Sequence, residues 1–418
     1  MRGRVVISGI GCVASLGCSR EQFTRALLAG EQGIRPITEF DVTGLRATHA
    51  ARVRDFDPTK YLPAMKMRRI DAVGRVAIAA TRDALDHASI PHRPEGYDDI
   101  GVVLGSYSAG VHATGEYLES FMKGGPTGAP ALLFSSTVGN APASQCGLEY
   151  GLRGPNTTLM HKEASGLSAI AFGTHLLRRG KAAAMVAGGA DDIYVHFYRA
   201  HDWFGVMAPS NSHPPTTAPF DAARNGFVMG EGGFMLVLED EARHAARAGA
   251  DQAYGEILGV GTSSESLPIN AWPTTEAALV RSMRRALEDA SLDPDDVDVV
   301  FASANGTRLL DRCEAMALRT VFGDRPVPIT SIKGALGEFA ASGAASLAAA
   351  VLCGSGADGR IPPIAGLHHP ADDCPVTVVR TPMPLPGPIV LINSFASGGT
   401  NFSVIVRLAR HETAAPTT

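Results

Sequence analysis

Short apolar runs that end on glycine or another small residue recur along the chain: Arg4–Gly9, Ile100–Gly105, Ala182–Gly188, Gly233–Leu238, Val297–Ala302, Ile389–Asn393 and Phe402–Leu408. Runs this short, without polar alternation, predict strands buried on both faces. Between them apolar residues return at helical spacing. This predicts helices over Arg20–Leu28, Arg69–His87, Gly115–Lys123, Ser165–Arg179, Thr275–Ala290, Leu310–Phe322 and Ser342–Leu352. Strands alternating with helices predict an α/β fold with mostly parallel sheets covered on both faces.

The pattern occurs twice. Glu163-Ala-Ser-Gly166 opens a small-residue helix and is followed by the Gly-rich strand end Ala187–Ala190. Glu338 and Ala341-Ser-Gly343 open a second such helix, followed by Ser397-Gly-Gly-Thr400. Helices built from Ala, Ser and Gly have no polar face, so they must be buried on all sides, and their small residues permit close approach. Two central helices between sheets predict a five-layered αβαβα architecture of two pseudo-symmetric halves, 1–248 and 249–410. The tail 411–418 is expected to fray.

Composition narrows the function. The 418 residues carry a formal charge of −5 and are 45 % hydrophobic and 19 % charged, enough for a large core. The signs are interspersed, which leaves no basic stripe for nucleic acid. No apolar run approaches the roughly 18 residues that span a bilayer. Arg2 and Arg4 before Val5–Gly17 imitate a signal peptide, but the glycines weaken a helix there and VVISGIG reads as a buried strand. Six scattered cysteines without C-x-x-C spacing point to reduced, buried thiols in a cytoplasmic protein, and the 13 histidines show no metal-ligand spacing. There is no P-loop. Ser106–Gly110 lacks the first glycine of a nucleophile elbow, and Gly9-Ile-Gly11 is not a dinucleotide fingerprint.

Five segments carry the chemical information. They are Tyr150–Pro155 (YGLRGP), Pro219–Gly232 (PFDAARNGFVMGEG), Ala304–Thr307 (ANGT) with Asp311–Ala315 (DRCEA), Ser331–Gly337 (SIKGALG) and Asn393–Asn401 (NSFASGGTN). In order and spacing they resemble the β-ketoacyl synthase family of the thiolase fold, over essentially the whole chain. That family condenses acyl chains by decarboxylation. A cysteine at the start of a buried helix takes the acyl group as a thioester, and its thiolate is favoured by the helix dipole. Two histidines assist decarboxylation and stabilise the enolate and oxyanion.

Here the cysteine position holds Glu163, the first histidine position Asn305 and the second Glu338. All three reactive groups are absent, so the resemblance implies no catalytic residue in this chain. Around them the scaffold remains. Lys333 and Glu314 are implied as a paired structural network, and Ser397 stands where active synthases carry a bulky gating residue. Glu163 is read as filling a dead pocket, paired with a base such as Lys162 or Arg153, or else as a general base. If Glu163 and Glu338 are close, the two are expected to share a proton in a hydrogen bond. Asn305 is read as a loop residue satisfying backbone groups, or as an oxyanion donor.

Gly306–Ala315 (GTRLLDRCEA) resembles one branch in particular, the chain-length factors of type II polyketide synthases. These are non-catalytic β subunits that pair with a cysteine-bearing ketosynthase α subunit. Glu163 departs from the Gln usual in aromatic-polyketide members. The branch implies a heterodimer that shapes the polyketide tunnel, with no bound cofactor and with the phosphopantetheine arm of acyl carrier protein as substrate carrier. Val111, Thr114 and Leu118, at helical spacing, are implied as tunnel residues, with core packing as the other reading. The family is also expected to dimerise through an edge strand near 180–190. Two alternatives remain: a stand-alone enzyme using Glu163 as base for decarboxylation or cyclisation, and a homodimeric scaffold protein.

Overall fold

The computed structural model describes residues 3–210, 218–249, 253–356 and 358–409. The tail expected over 411–418 lies outside them. Ten strands form one sheet: β1 (Val5–Ala14), β2 (Ile100–Gly105), β3 (Asn156–Leu159), β4 (Ala184–Asp191), β5 (Gly232–Asp240), β6 (Gly255–Ser264), β7 (Val299–Phe301), β8 (Ile329–Thr330), β9 (Ile389–Phe395) and β10 (Thr400–Leu408). Their spatial order is β3-β2-β4-β5-β1 in the first unit and β8-β7-β9-β10-β6 in the second, the same order shifted by five. In each unit the outer three strands pair in parallel and the inner pairings are antiparallel. The sheets are therefore mixed, not mostly parallel. The units join where Val5–Ile7 pairs antiparallel with Gly255–Ile257.

The two small-residue helices, Ser165–Arg178 and Ser342–Gly354, pack against each other and against strands of both units. They are the central layer of a thiolase-like αβαβα fold. Their crossing depends on missing side chains: a Cβ on Gly343 would stand 2.8 Å from Cβ of Leu167, and one on Gly166 would stand 3.0 Å from Cα of Ala341. The outer layers are Ala72–His87 on β1 and β5, and Ala277–Ala290 on β6 and β10. Gly9 and Gly11 lie under the first of these, and Gly259 and Gly261 under the second. A Cβ at any of the four would collide with a carbonyl of the covering helix. The Gly9-Ile-Gly11 pair is thus a packing device, and it recurs in the second half.

One expectation is corrected. β4, near 180–190, is not an edge strand: it is buried, with β2 on one side and β5 on the other. Among the described residues the edge of the first unit is β3, paired only to β2. The continuous apolar run of β4 reflects that interior place. Among the described residues no helix is long and apolar enough to cross a membrane.

Candidate functional site

The site lies where both central helices begin. A single 3-10 turn, Lys162–Ala164, leads into the Ser165–Arg178 helix and carries Glu163 into the interior. Its carboxylate accepts the backbone N–H of Ser397 (3.1 Å) and the Ser397 hydroxyl (3.0 Å to Oε1, 3.2 Å to Oε2). The Ser397 hydroxyl in turn accepts from the Lys162 ammonium at 2.9 Å. Lys162 therefore reaches Glu163 through a serine, while Arg153 is engaged elsewhere, with Asp98 at 2.6 Å. Burial raises the Glu163 carboxyl above its ordinary value and the charge of Glu338 raises it further, with Lys162 opposing.

Asn305 is positioned by two carboxylates from the next helix. In Arg308–Phe322, Asp311 and Glu314 stand three residues apart and so share a face. Glu314 accepts the N–H of Ser303 (2.9 Å) and of Ala304 (2.6 Å). Asp311 accepts the N–H of Asn305 (3.0 Å) and of Gly306 (3.2 Å). The Asn305 side-chain carbonyl then takes the N–H of Thr307 at 2.9 Å. Every backbone donor from Ser303 to Thr307 thereby gains a partner in a buried loop, where an unpaired one would cost about 1–3 kcal/mol. Burial pushes Glu314 up to about 7 and Asp311 up to about 6, against the opposing pull of these donors.

The Asn305 amide donates to Glu338 at 2.8 Å. Glu338 also accepts from the Lys333 ammonium at 2.7 Å and from the Ser342 hydroxyl at 2.8 Å. Two earlier expectations change here. Among the described residues the ion pair of Lys333 is with Glu338, not Glu314. Lys333 and Glu314 meet through Ser303, whose carbonyl accepts from Lys333 (2.8 Å) and whose N–H goes to Glu314. Glu163 and Glu338 form no hydrogen bond with each other, because each carboxylate is filled by its own donors. They do line one small cavity, with Tyr107, Phe197, His201 and Phe339. It leaves about 30 Å³ for the centres of water molecules, far too little for an acyl chain. Both polar atoms of the Asn305 side chain are engaged, its carbonyl by the Thr307 N–H and its amide by Glu338.

The model of the β-ketoacyl synthase N-terminal domain matches residues 2–244, and that of the C-terminal domain matches residues 254–368. The chain belongs to the β-ketoacyl synthase family. It is 33 % identical to the tetracenomycin polyketide synthase ketoacyl synthase beta subunit of Streptomyces glaucescens, over 96 % of this chain and 98 % of that one. It is 29 % identical to 3-oxoacyl-[acyl-carrier-protein] synthase 2 of Coxiella burnetii, over 96 % and 98 %. Among solved structures, the ishigamide ketosynthase/chain length factor superposes with a TM-score of 0.89 at 28 % identity, covering 98 % of this chain and all of that one.

The three proposed tunnel positions lie on the Val111–Gly124 helix. Val111 and Thr114 are half-buried, and Leu118 is 52 % exposed. None of the three lines the cavity between Glu163 and Glu338. Sequence reasoning passed over two groups. Asp191 is one: its Oδ1 takes the N–H of Tyr107 and Ser108 and both serine hydroxyls at Ser106 and Ser108, and its Oδ2 takes the N–H of Ala341. It ties the first half to the start of the second central helix, and burial pushes it up to about 6. Arg224 is the other: it is buried between Asp373 (2.9 Å) and Asp311 (3.5 Å). A carboxylate at a strand end and an arginine inside the Pro219–Gly232 segment were the available signals.

Proposed function

We propose that the chain is a non-catalytic chain-length-factor subunit. It pairs with a cysteine-bearing ketosynthase α subunit and shapes the tunnel into which that subunit extends a polyketide, with substrates carried on the phosphopantetheine arm of acyl carrier protein. The observation that carries the reading is the state of the three reactive positions. Glu163, Asn305 and Glu338 replace the nucleophile and both histidines, and their polar atoms are occupied by Ser397, Lys333, Ser342 and Thr307 while the surrounding scaffold is kept. Such a site cannot hold a thioester or stabilise an enolate.

Two further features support it. β3 leaves one edge unpaired among the described residues, and Met160, directly after it, is exposed. A free strand edge is suited to strand addition by a second subunit. The relative from Streptomyces glaucescens is itself named a ketoacyl synthase beta subunit.

Co-expression with a cysteine-bearing ketosynthase, native mass spectrometry and a malonyl-carrier elongation assay test the reading. The expected result is a 1:1 heterodimer that elongates, is silenced by replacing the partner's cysteine, and is indifferent to Glu163→Ala. Leu118→Trp should shorten the product. A homodimer that consumes malonyl thioester unaided and stops on Glu163→Ala would establish instead a stand-alone enzyme with Glu163 as base.

A further inference from the structure

The Ser397 position was read above as a gate left without its bulky side chain. The geometry gives the small residue a different task. Three segments meet at Lys162 and Glu163: the start of the first central helix, the loop containing Glu265–Ala271, and the Ala396–Thr400 turn. Lys162 Nζ donates to Asn270 Oδ1 at 2.5 Å and to Ser397 Oγ at 2.9 Å. Glu163 accepts from both donors of Ser397 and, through its backbone carbonyl, from the Ser394 hydroxyl at 3.2 Å. The loop and the turn are also sewn to each other: Gly398 N–H donates to Ala271 O (2.9 Å) and Glu265 N–H to Gly399 O (2.8 Å). Gly398 (φ 93°) and Gly399 (φ 96°) adopt conformations that favour glycine, and a Cβ on Gly399 would collide with the Glu265 carbonyl oxygen.

Exposure falls in order along this chain of contacts. Ile269 is exposed, Asn270 and Lys162 are half-buried, and Ser397 and Glu163 are buried. The contacts therefore run from the surface down to the cavity. Lys162 (φ 51°) and Asn270 (φ 65°) both hold left-handed backbone conformations disfavoured for residues with a Cβ. Such strain persists only where surrounding contacts over-determine it. The Lys162 ammonium also lies 5.9 Å from the centre of the Tyr107 ring, within cation–π range, and Tyr107 lines the cavity.

We propose that Lys162, Glu163, Asn270 and Ser397 form a latch that clamps the Glu265–Ala271 loop and the Ala396–Thr400 turn behind Glu163, the wall residue through which they meet the cavity, and so excludes acyl thioesters from this chain's own pocket. A bulky residue at 397 could swing. A serine that accepts from an ammonium and donates to a carboxylate is held from both sides by charge-assisted bonds. The latch concerns this chain's pocket alone and does not require the pairing proposed above.

Two measurements test it, both on the full chain. The first is amide hydrogen exchange on Lys162→Met and Ser397→Ala. Protection is expected to fall at least tenfold, together, in the 265–271 loop and the 396–400 turn, with the central helices unchanged. Protection unchanged, or lost in one segment only, would overturn the latch. The second is iodoacetamide labelling of a reporter thiol in Met229→Cys, at the cavity wall and outside the latch, with and without Lys162→Ala. Removing Lys162 takes away a cation that favours the thiolate, so electrostatics alone would slow labelling. The latch predicts at least tenfold faster labelling in the double variant, whereas equal or slower labelling would count against it. The exchange experiment keeps the proposal testable should the cysteine variant fold poorly, and neither readout depends on a partner subunit.

Discussion

The two halves share strand order, strand direction, a buried small-residue helix and a glycine pair under the covering helix, yet their sheet edges are treated differently. In the first half β3 is left open. In the second, β8 is covered: Ile329 N–H donates to Thr377 O, Val379 N–H donates to Ile329 O, and the 376–379 segment lies along the strand. An exposed edge is a liability unless something pairs with it. The two halves therefore keep one scaffold and differ at its edges, one sealed by its own chain and the other left open.

The largest expected effect tests the second half. Asp311→Ala removes the acceptor for the N–H of Asn305, Gly306 and Phe220 and leaves the buried Arg224 with Asp373 alone. Loss of one member of a buried charged pair costs about 3–5 kcal/mol, which urea unfolding would measure. Should the loss stay below about 1 kcal/mol, the carboxylates do not hold the Ser303–Gly306 loop.

Next come the edges. Pro155 O and Leu159 O bond toward β2, so by alternation the backbone of Thr158 faces outward. Thr158→Pro is expected to weaken binding to a ketosynthase subunit about a hundredfold, roughly 2.7 kcal/mol, while the melting temperature of the isolated chain changes little. Val379→Pro should do the reverse, lowering stability without changing partner affinity. Equal effects of the two on affinity would erase the contrast between the halves.

A pH profile sharpens the comparison further. The Glu314 carboxyl titrates at about 7 in the fold against an ordinary 4.5. Between these values the native state binds more protons than the unfolded state, so this group's contribution to stability is lost as pH rises from about 4.5 through 7. In Glu314→Gln that slope disappears. The stability of wild type minus variant should fall across the window, measured by unfolding at several pH values. A difference that is flat with pH would mean that the group titrates normally.

The smallest effect distinguishes the covering helices. Asp71 caps Ala72–His87 through the N–H of Gly74 at 2.9 Å, whereas Glu276 makes no side-chain cap on Ala277–Ala290. Asp71→Ala should cost about 1 kcal/mol and Glu276→Ala almost nothing, read from thermal melts.

Much of this was legible in the chain itself. Seven of the ten strands are apolar runs, and the central helices announce their burial through the want of any polar face. The remaining strands were hidden for physical reasons. β6 is thinned by Gly255, Gly259 and Gly261, and the glycines that conceal it are those the covering helix needs. β3 is polar because one edge is unpaired, and β8 is two residues long. The loss of the nucleophile was also plain, since it depends only on which residue occupies a position.

What the chain determined alone was therefore the local part: the hydrophobic rhythm, the duplication, the family segments and the absent reactive groups. The tertiary structure decided the partners. Lys333 pairs with Glu338 rather than Glu314, Glu163 bonds Ser397 across a separation of 234 residues, and β3 rather than β4 is the open edge. Hydrophobic burial follows from side-chain type and period, which are written residue by residue. A hydrogen bond needs two groups within about 3 Å, and for groups so far apart in sequence only the closed fold sets that distance.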